Sequence, residues 1–213
     1  MQAQPHGLTR ALLACGIIAG PLFFGVAIIQ AFTRSGYNIR QNAISQLSLG
    51  DLGWIQMTSF LLTGLLAVAC ATGVRRKLKG QKGGTMGALL IGTFGLGLIV
   101  AGIFPPDPAF GFPPGAPAGP APMPMSGHAT LHALGFFVSM LSAIMACFVF
   151  ARRFSSLKER GWVLYCVASG VAIPILIALS ILMMSWAGVI VALAGAVVFG
   201  WVSATAAVLR LEI

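Results

Sequence analysis

The chain has 213 residues, of which 58% are hydrophobic and only 8% charged. So little charge cannot cover the surface of a water-soluble globule, and that class is excluded. The formal net charge of +9 would suit nucleic acid, but no aromatic or motif context accompanies it, and nucleic acid is not an expected partner.

Six apolar runs follow one another at 11–32, 54–74, 84–104, 128–150, 161–184 and 187–209. Each approaches or exceeds the roughly 20 residues needed to cross a hydrocarbon core about 30 Å thick. None holds Asp, Glu, Lys or Arg in its interior. A backbone in lipid must satisfy its own polar groups, so each run is predicted to be helical. The expected fold class is all-α: a single polytopic membrane bundle of six transmembrane helices spanning 1–213.

The first run is too long for a signal-peptide core, and Ala31-Phe32-Thr33-Arg34 is a poor cleavage site, so it is expected to remain as a membrane helix. Its Gly16 and Gly20 form a GxxxG pair, and Pro21 lies within it. The connection 33–53 mixes polar and apolar residues with no clean period and suits a short interfacial helix ending at Gly50. Arg75, Arg76, Lys77, Lys79 and Lys82 fill the break after the second run. Gly83, Gly87, Gly92 and Gly95 keep the start of the third slim.

The connection 105–127 holds nine of the twelve prolines, and Phe112-Pro113-Pro114-Gly115-Ala116-Pro117 reads as extended polyproline with little apolar surface to bury. Its middle is expected to be mobile and dispensable. After the fourth run come Arg152, Arg153, Lys158 and Arg160; the fifth contains Pro174; a tight connection at Ser185-Trp186 leads to the sixth. There Gly188, Ala192, Ala196 and Gly200 recur every four residues, a pattern that lets helix backbones approach closely and allows a homo-oligomer through small-residue faces.

Arg10 and Arg210 join the two basic breaks, so eleven of thirteen cations lie on one side and only Arg34 and Arg40 on the other. Under the positive-inside rule both termini and the basic loops are cytoplasmic, in a multi-pass protein of the cell membrane. Membrane lipids are the expected partners, with modest attraction to anionic inner-leaflet lipids. Cys15, Cys70, Cys147 and Cys166 fall on four helices in the cytoplasmic half, with no CxxC spacing, and read as small buried residues.

Polar chemistry collects at the opposite end. His128 and His132 are four residues apart, and their face continues through Gly135, Ser139 and Ser142, a polar or small stripe that should face the bundle interior. An HxxxH pair is a workable two-point metal clamp, although the Glu of the zinc-protease motif is absent. Asp107, His128 and His132, with Ser45, Ser48 and Asp51 from the first loop, form the candidate constellation. Three roles are open for it. The histidines can cap the fourth helix and bond loop carbonyls while Asp107 braces the proline loop. The set can line an outward-facing polar pocket for a lipid head group or small molecule. Or Asp107, His128 and His132 can hold a divalent metal such as zinc in a membrane hydrolase.

The motifs Ile44-Ser45-Gln46-Leu47-Ser48-Leu49-Gly50, Gly53-Trp54-Ile55-Gln56 and Gly102-Ile103-Phe104-Pro105-Pro106-Asp107-Pro108, with a histidine early in the fourth helix matching His132, resemble those of the membrane family called domain of unknown function 998. The resemblance spans nearly the whole chain and implies a small prokaryotic protein of about six helices, without implying an activity. The Pro/Ala stretch 113–125 departs from that pattern. A weaker resemblance links the Ser, Asp and HxxxH set to the membrane hydrolases that include alkaline ceramidases and adiponectin-type receptors. This chain lacks their seventh helix and third histidine, since His6 lies at the other end. A small-solute transporter is a further alternative, but no ionisable residue at mid-membrane supports proton coupling.

Overall fold

A computed structural model describes residues 6–212 and contains six long helices: α1 (His6–Thr33), α2 (Gly53–Lys77), α3 (Met86–Ile103), α4 (Gly127–Ser156), α5 (Arg160–Leu182) and α6 (Ala187–Leu211). All six are long and apolar enough to cross a membrane. Short 3-10 turns occupy Ile44–Ser48 and Met184–Trp186. The sequence limits are close, except that α4 continues six residues past its apolar run. Nothing in Arg152 to Ser156 breaks a helix once the span leaves hydrocarbon, and Arg153 complements the C-terminal dipole.

Each helix packs on its neighbours in the chain, and α6 closes back onto α1. The interior is held by aromatic rings. Phe23 stacks on Phe199 at 5.2 Å, Phe94 meets Phe199 edge-on at 5.5 Å, and Phe150 meets the fully buried Trp201 at 5.6 Å. Outside lies a belt of exposed Ile, Leu and Phe, among them Ile29, Phe32, Leu65, Leu89, Phe137 and Leu182. Lipid solvates such side chains as well as a core does, so shape and polar pairing must hold the helices together. At the α3–α4 crossing, a Cβ on Gly135 would stand 2.7 Å from the Gly97 carbonyl oxygen. Only glycine permits that approach, and it brings Ser139 Oγ to donate to the Phe94 carbonyl at 3.0 Å.

The other small residues divide. Gly16 abuts Cys70 and Ala206, and Gly20 abuts Phe199, as the first-helix pair implies. Gly188 instead seats the first loop, its N–H donating to the Arg40 carbonyl at 2.9 Å. Ala196 and Gly200 face outward. Cys70, Cys147 and Cys166 are buried and Cys15 half-buried, all as free thiols.

The two basic loops and both described ends gather at one end of the bundle. Arg153, 5% exposed, donates to Gln81 Oε1 and the Lys82 carbonyl, both at 3.1 Å, and lies 4.0 Å from Glu212. Lys77 lies 3.9 Å from Glu212, and Arg76 donates to Thr9 Oγ1. Arg153 reads in the sequence as a topology signal. In the fold it is also the brace tying α4 to the α2–α3 loop and the end of α6.

Candidate functional site

The opposite end carries a folded cap. Arg34, just beyond α1, donates to the Leu47 carbonyl at 2.7 Å and the Leu49 carbonyl at 2.5 Å. Its guanidinium also lies 5.1 Å from the centre of the Phe112 ring. Burial lowers the pKa of Arg34 from its ordinary value, and nearby Asp51 opposes the shift. Asn42 and Gln46 amides both point at the Ala109 carbonyl, at 3.4 and 3.3 Å. The Tyr37 hydroxyl donates to the Asn42 carbonyl at 2.9 Å, and burial raises its pKa. Arg40 reaches across to stack on Trp186, 4.2 Å from the ring centre, so the α5–α6 turn joins the cap.

The proline-rich connection is part of this structure, contrary to its reading as free polyproline. Phe112 is fully buried against Ala27, Leu47 and Tyr37, whose ring meets it edge-on at 5.3 Å. Backbone bonds from Phe110 to Gly119 and from Gly111 to Pro117, both 2.8 Å, fold the following residues into a tight loop. Composition hid this because a single aromatic among prolines carries nearly all the apolar surface. From Pro114 to Met123 most residues are exposed.

The six candidate residues separate into two groups. Asp107 accepts the Ser126 N–H at 2.9 Å, and Ser126 Oγ caps α4 by accepting from Ala129 N at 3.1 Å. Asp107 thus ties the two ends of the proline-rich connection together. His128 is exposed, its ring edge-on to Phe104 at 5.6 Å. Asp51 is exposed beside Arg34. Ser48 is buried, and its Oγ has no hydrogen-bond partner among the described residues.

His132 and Ser45 do meet a common space. They line a cavity of about 70 Å³ between α1, α4 and α6, roofed by Ala43 to Ser45. The remaining walls are mostly apolar, including Phe23, Phe60, Phe136, Met140, Val191 and Phe199. His132 is 8% exposed, and its Nδ1 sits 3.0 Å from the Ala101 carbonyl and 2.8 Å from that of Phe104. Carbonyls only accept, so Nδ1 carries the proton and the neutral ring keeps Nε2 as an acceptor on its other edge. The Phe60 ring stands perpendicular to the imidazole at 6.2 Å. By volume the cavity has room for about five water molecules, but apolar walls of this kind stay dry.

Asp107, His128 and His132 therefore do not form the expected metal set. No three His, Cys, Asp or Glu side chains among the described residues gather into a group able to hold an ion. The geometric reason is helical rise. Four residues lift His128 about 6 Å above His132, beyond the end of α3 and out of the packed interior.

Two features of this end escaped sequence reading. Gln30 Nε2 donates to Gln56 Oε1 at 2.8 Å, a buried amide pair joining α1 to α2 beneath the cap. The remaining amide atoms, Gln30 Oε1 and Gln56 Nε2, have no partner, nor do Ser59 Oγ and Thr63 Oγ1 farther along α2. The other feature is the Arg34 clasp. A glutamine inside each of two apolar runs was the available signal for the first, and a lone arginine against the charge bias for the second.

The family described as a protein of unknown function (DUF998) matches residues 17–208. The chain belongs to this family. Comparison with curated proteins found no match, and comparison with solved structures found none. For this DUF998 protein the family and the six apolar helices establish an integral membrane protein of unknown activity.

Proposed function

We propose that this protein binds a lipid or a similar small amphiphile in the cavity beneath its cap, with the apolar part among the aromatic walls and the polar part against His132 and Ser45. The observation that carries the reading is the His132 ring, which spends Nδ1 on α3 carbonyls and keeps an acceptor at the only polar corner of an apolar cavity. A hydroxyl or amide N–H at one end of the occupant would satisfy that acceptor, and leaving it empty in a dry space costs free energy. Asp107, His128 and Asp51 then serve the cap rather than the ligand. The basic end faces the cytoplasm of the cell, which puts the cap and cavity at the outer half of the membrane.

The test is native mass spectrometry and lipid extraction on protein purified in mild detergent. Wild type is expected to retain a defined amphiphile. His132→Phe, which removes the acceptor, and Gly195→Leu, which fills the space, are expected to release it without loss of the folded monomer. Wild type that carries no amphiphile, and gains no thermal stability from an added lipid extract, refutes the reading.

A further inference from the structure

We infer that the α4–α5 junction at the basic end is a specific site for an anionic phospholipid, distinct from the cavity and independent of it. A groove of about 670 Å³ opens there, lined by Ser155, Lys158 and Arg160 at its rim and by Val163, Leu164 and Val167 along its wall. The rim residues lie where α4 ends and α5 begins, and the wall belongs to the first turns of a membrane-spanning helix. A phosphodiester head at the rim with an acyl chain along the wall matches both halves. A soluble anion would leave the apolar half idle.

Charge supports the same occupant. The ion pairs among the described residues involve Lys77, Arg153 and Glu212, so neither Lys158 nor Arg160 is neutralised by one. Glu159 stands between them in the chain and is exposed, and Arg152 is exposed one turn before Ser155 on the same face of α4. The site is net cationic with these neighbours counted.

The backbone supplies a separate argument. The Lys158 N–H bonds the Ser155 carbonyl at 3.1 Å and the Glu159 N–H bonds the Phe154 carbonyl at 3.0 Å, a Schellman ending of α4. Lys158 occupies its left-handed position, with φ of 62°. Glycine is the usual residue there because a Cβ is strained in that conformation. A lysine at that position forgoes stability for an amine at the groove rim, which is how strained residues mark binding sites.

This placement offers a substitution that separates binding from folding. Lys158→Gly relieves the strain and removes the amine, so the variant should melt at the same temperature as wild type or higher, yet bind less anionic lipid. The readout is native mass spectrometry of protein exchanged into mixed micelles with equal phosphatidylglycerol and phosphatidylcholine. Wild type is expected to retain phosphatidylglycerol preferentially, with the preference falling about fivefold for each cation lost, in Lys158→Gly and in Arg160→Gln. Lys79→Gln with Lys82→Gln, in the other basic loop, should leave it unchanged. Equal loss in that control would mean diffuse charge attraction and overturn the site. Inorganic phosphate displacing the lipid at millimolar concentration would show that the acyl groove plays no part, and would overturn it as well.

Discussion

Replacing Phe112 by alanine should release the cap while leaving the helices in place. The side chain is fully buried under Tyr37 and Leu47, with the Arg34 guanidinium over its face. Truncating a buried Phe to Ala typically costs 3–5 kcal/mol. A loop can collapse partly into the space, so the low end, about 3 kcal/mol, is the appropriate figure. The helices are held by contacts that Phe112 does not touch, and the loss therefore falls on docking of the cap. Three kcal/mol corresponds to roughly a hundredfold increase in the undocked fraction. Hydrogen exchange in detergent or nanodiscs reads this directly. The amides of Leu49, Phe110 and Gly111, bonded within the cap, should exchange about a hundredfold faster. Amides inside α2 and α4 should not change. Phe112→Leu keeps most of the volume and should cost under about 1.5 kcal/mol. Unchanged exchange at all three cap amides in Phe112→Ala would refute the claim that this ring pins the proline-rich connection.

Replacing 114–123 by a short Gly/Ser linker, with Phe112 and Asp107 kept, should alter thermal stability by less than about 1 kcal/mol because those residues are mostly exposed. A larger loss would mean that the tip itself is packed. Gly135→Ala places a Cβ 2.7 Å from the Gly97 carbonyl, and separating α3 from α4 should cost about 1–3 kcal/mol; size-exclusion profile and melting temperature in detergent measure it, and a neutral result would contradict the close crossing. For orientation, single cysteines in a background without native thiols should resist a membrane-impermeant reagent at 77–80 and 154–158 in intact cells, and react at 115–120. The reverse pattern would invert the proposed topology.

The helices were legible because lipid leaves the backbone few alternatives. An apolar run of about 20 residues without a charge must bond within itself, so composition alone determines the element. Closing the ring of six required knowing which faces pair. Gly97 and Gly135 occur among many glycines, and nothing in the linear spacing says that these two cross. The polar stripe through His132, Gly135, Ser139 and Ser142 was legible for a related reason: a period near 3.6 in an otherwise greasy helix has only the interior to face. All four residues are buried.

The site was legible only up to one turn of helix. Spacing says that His128 and His132 share a face, but whether they share an environment depends on where α3 stops. It stops at Ile103, level with His132, whose Nδ1 takes the Ala101 and Phe104 carbonyls. His128 stands a turn higher and meets the Phe104 ring and solvent. The cap was less legible still, because its bonds join segments 60 or more residues apart, as Asn42 and Gln46 do with Ala109. Such pairings depend on the bundle first bringing the ends of α1, α3 and α4 together. Arg34 shows the consequence. It counts against the charge bias in the sequence, and that exception is what the cap requires: only a planar guanidinium can fork to two carbonyls while presenting its face to an aromatic ring. A residue that violates a global pattern for a local reason is a better pointer to the site than one that follows it.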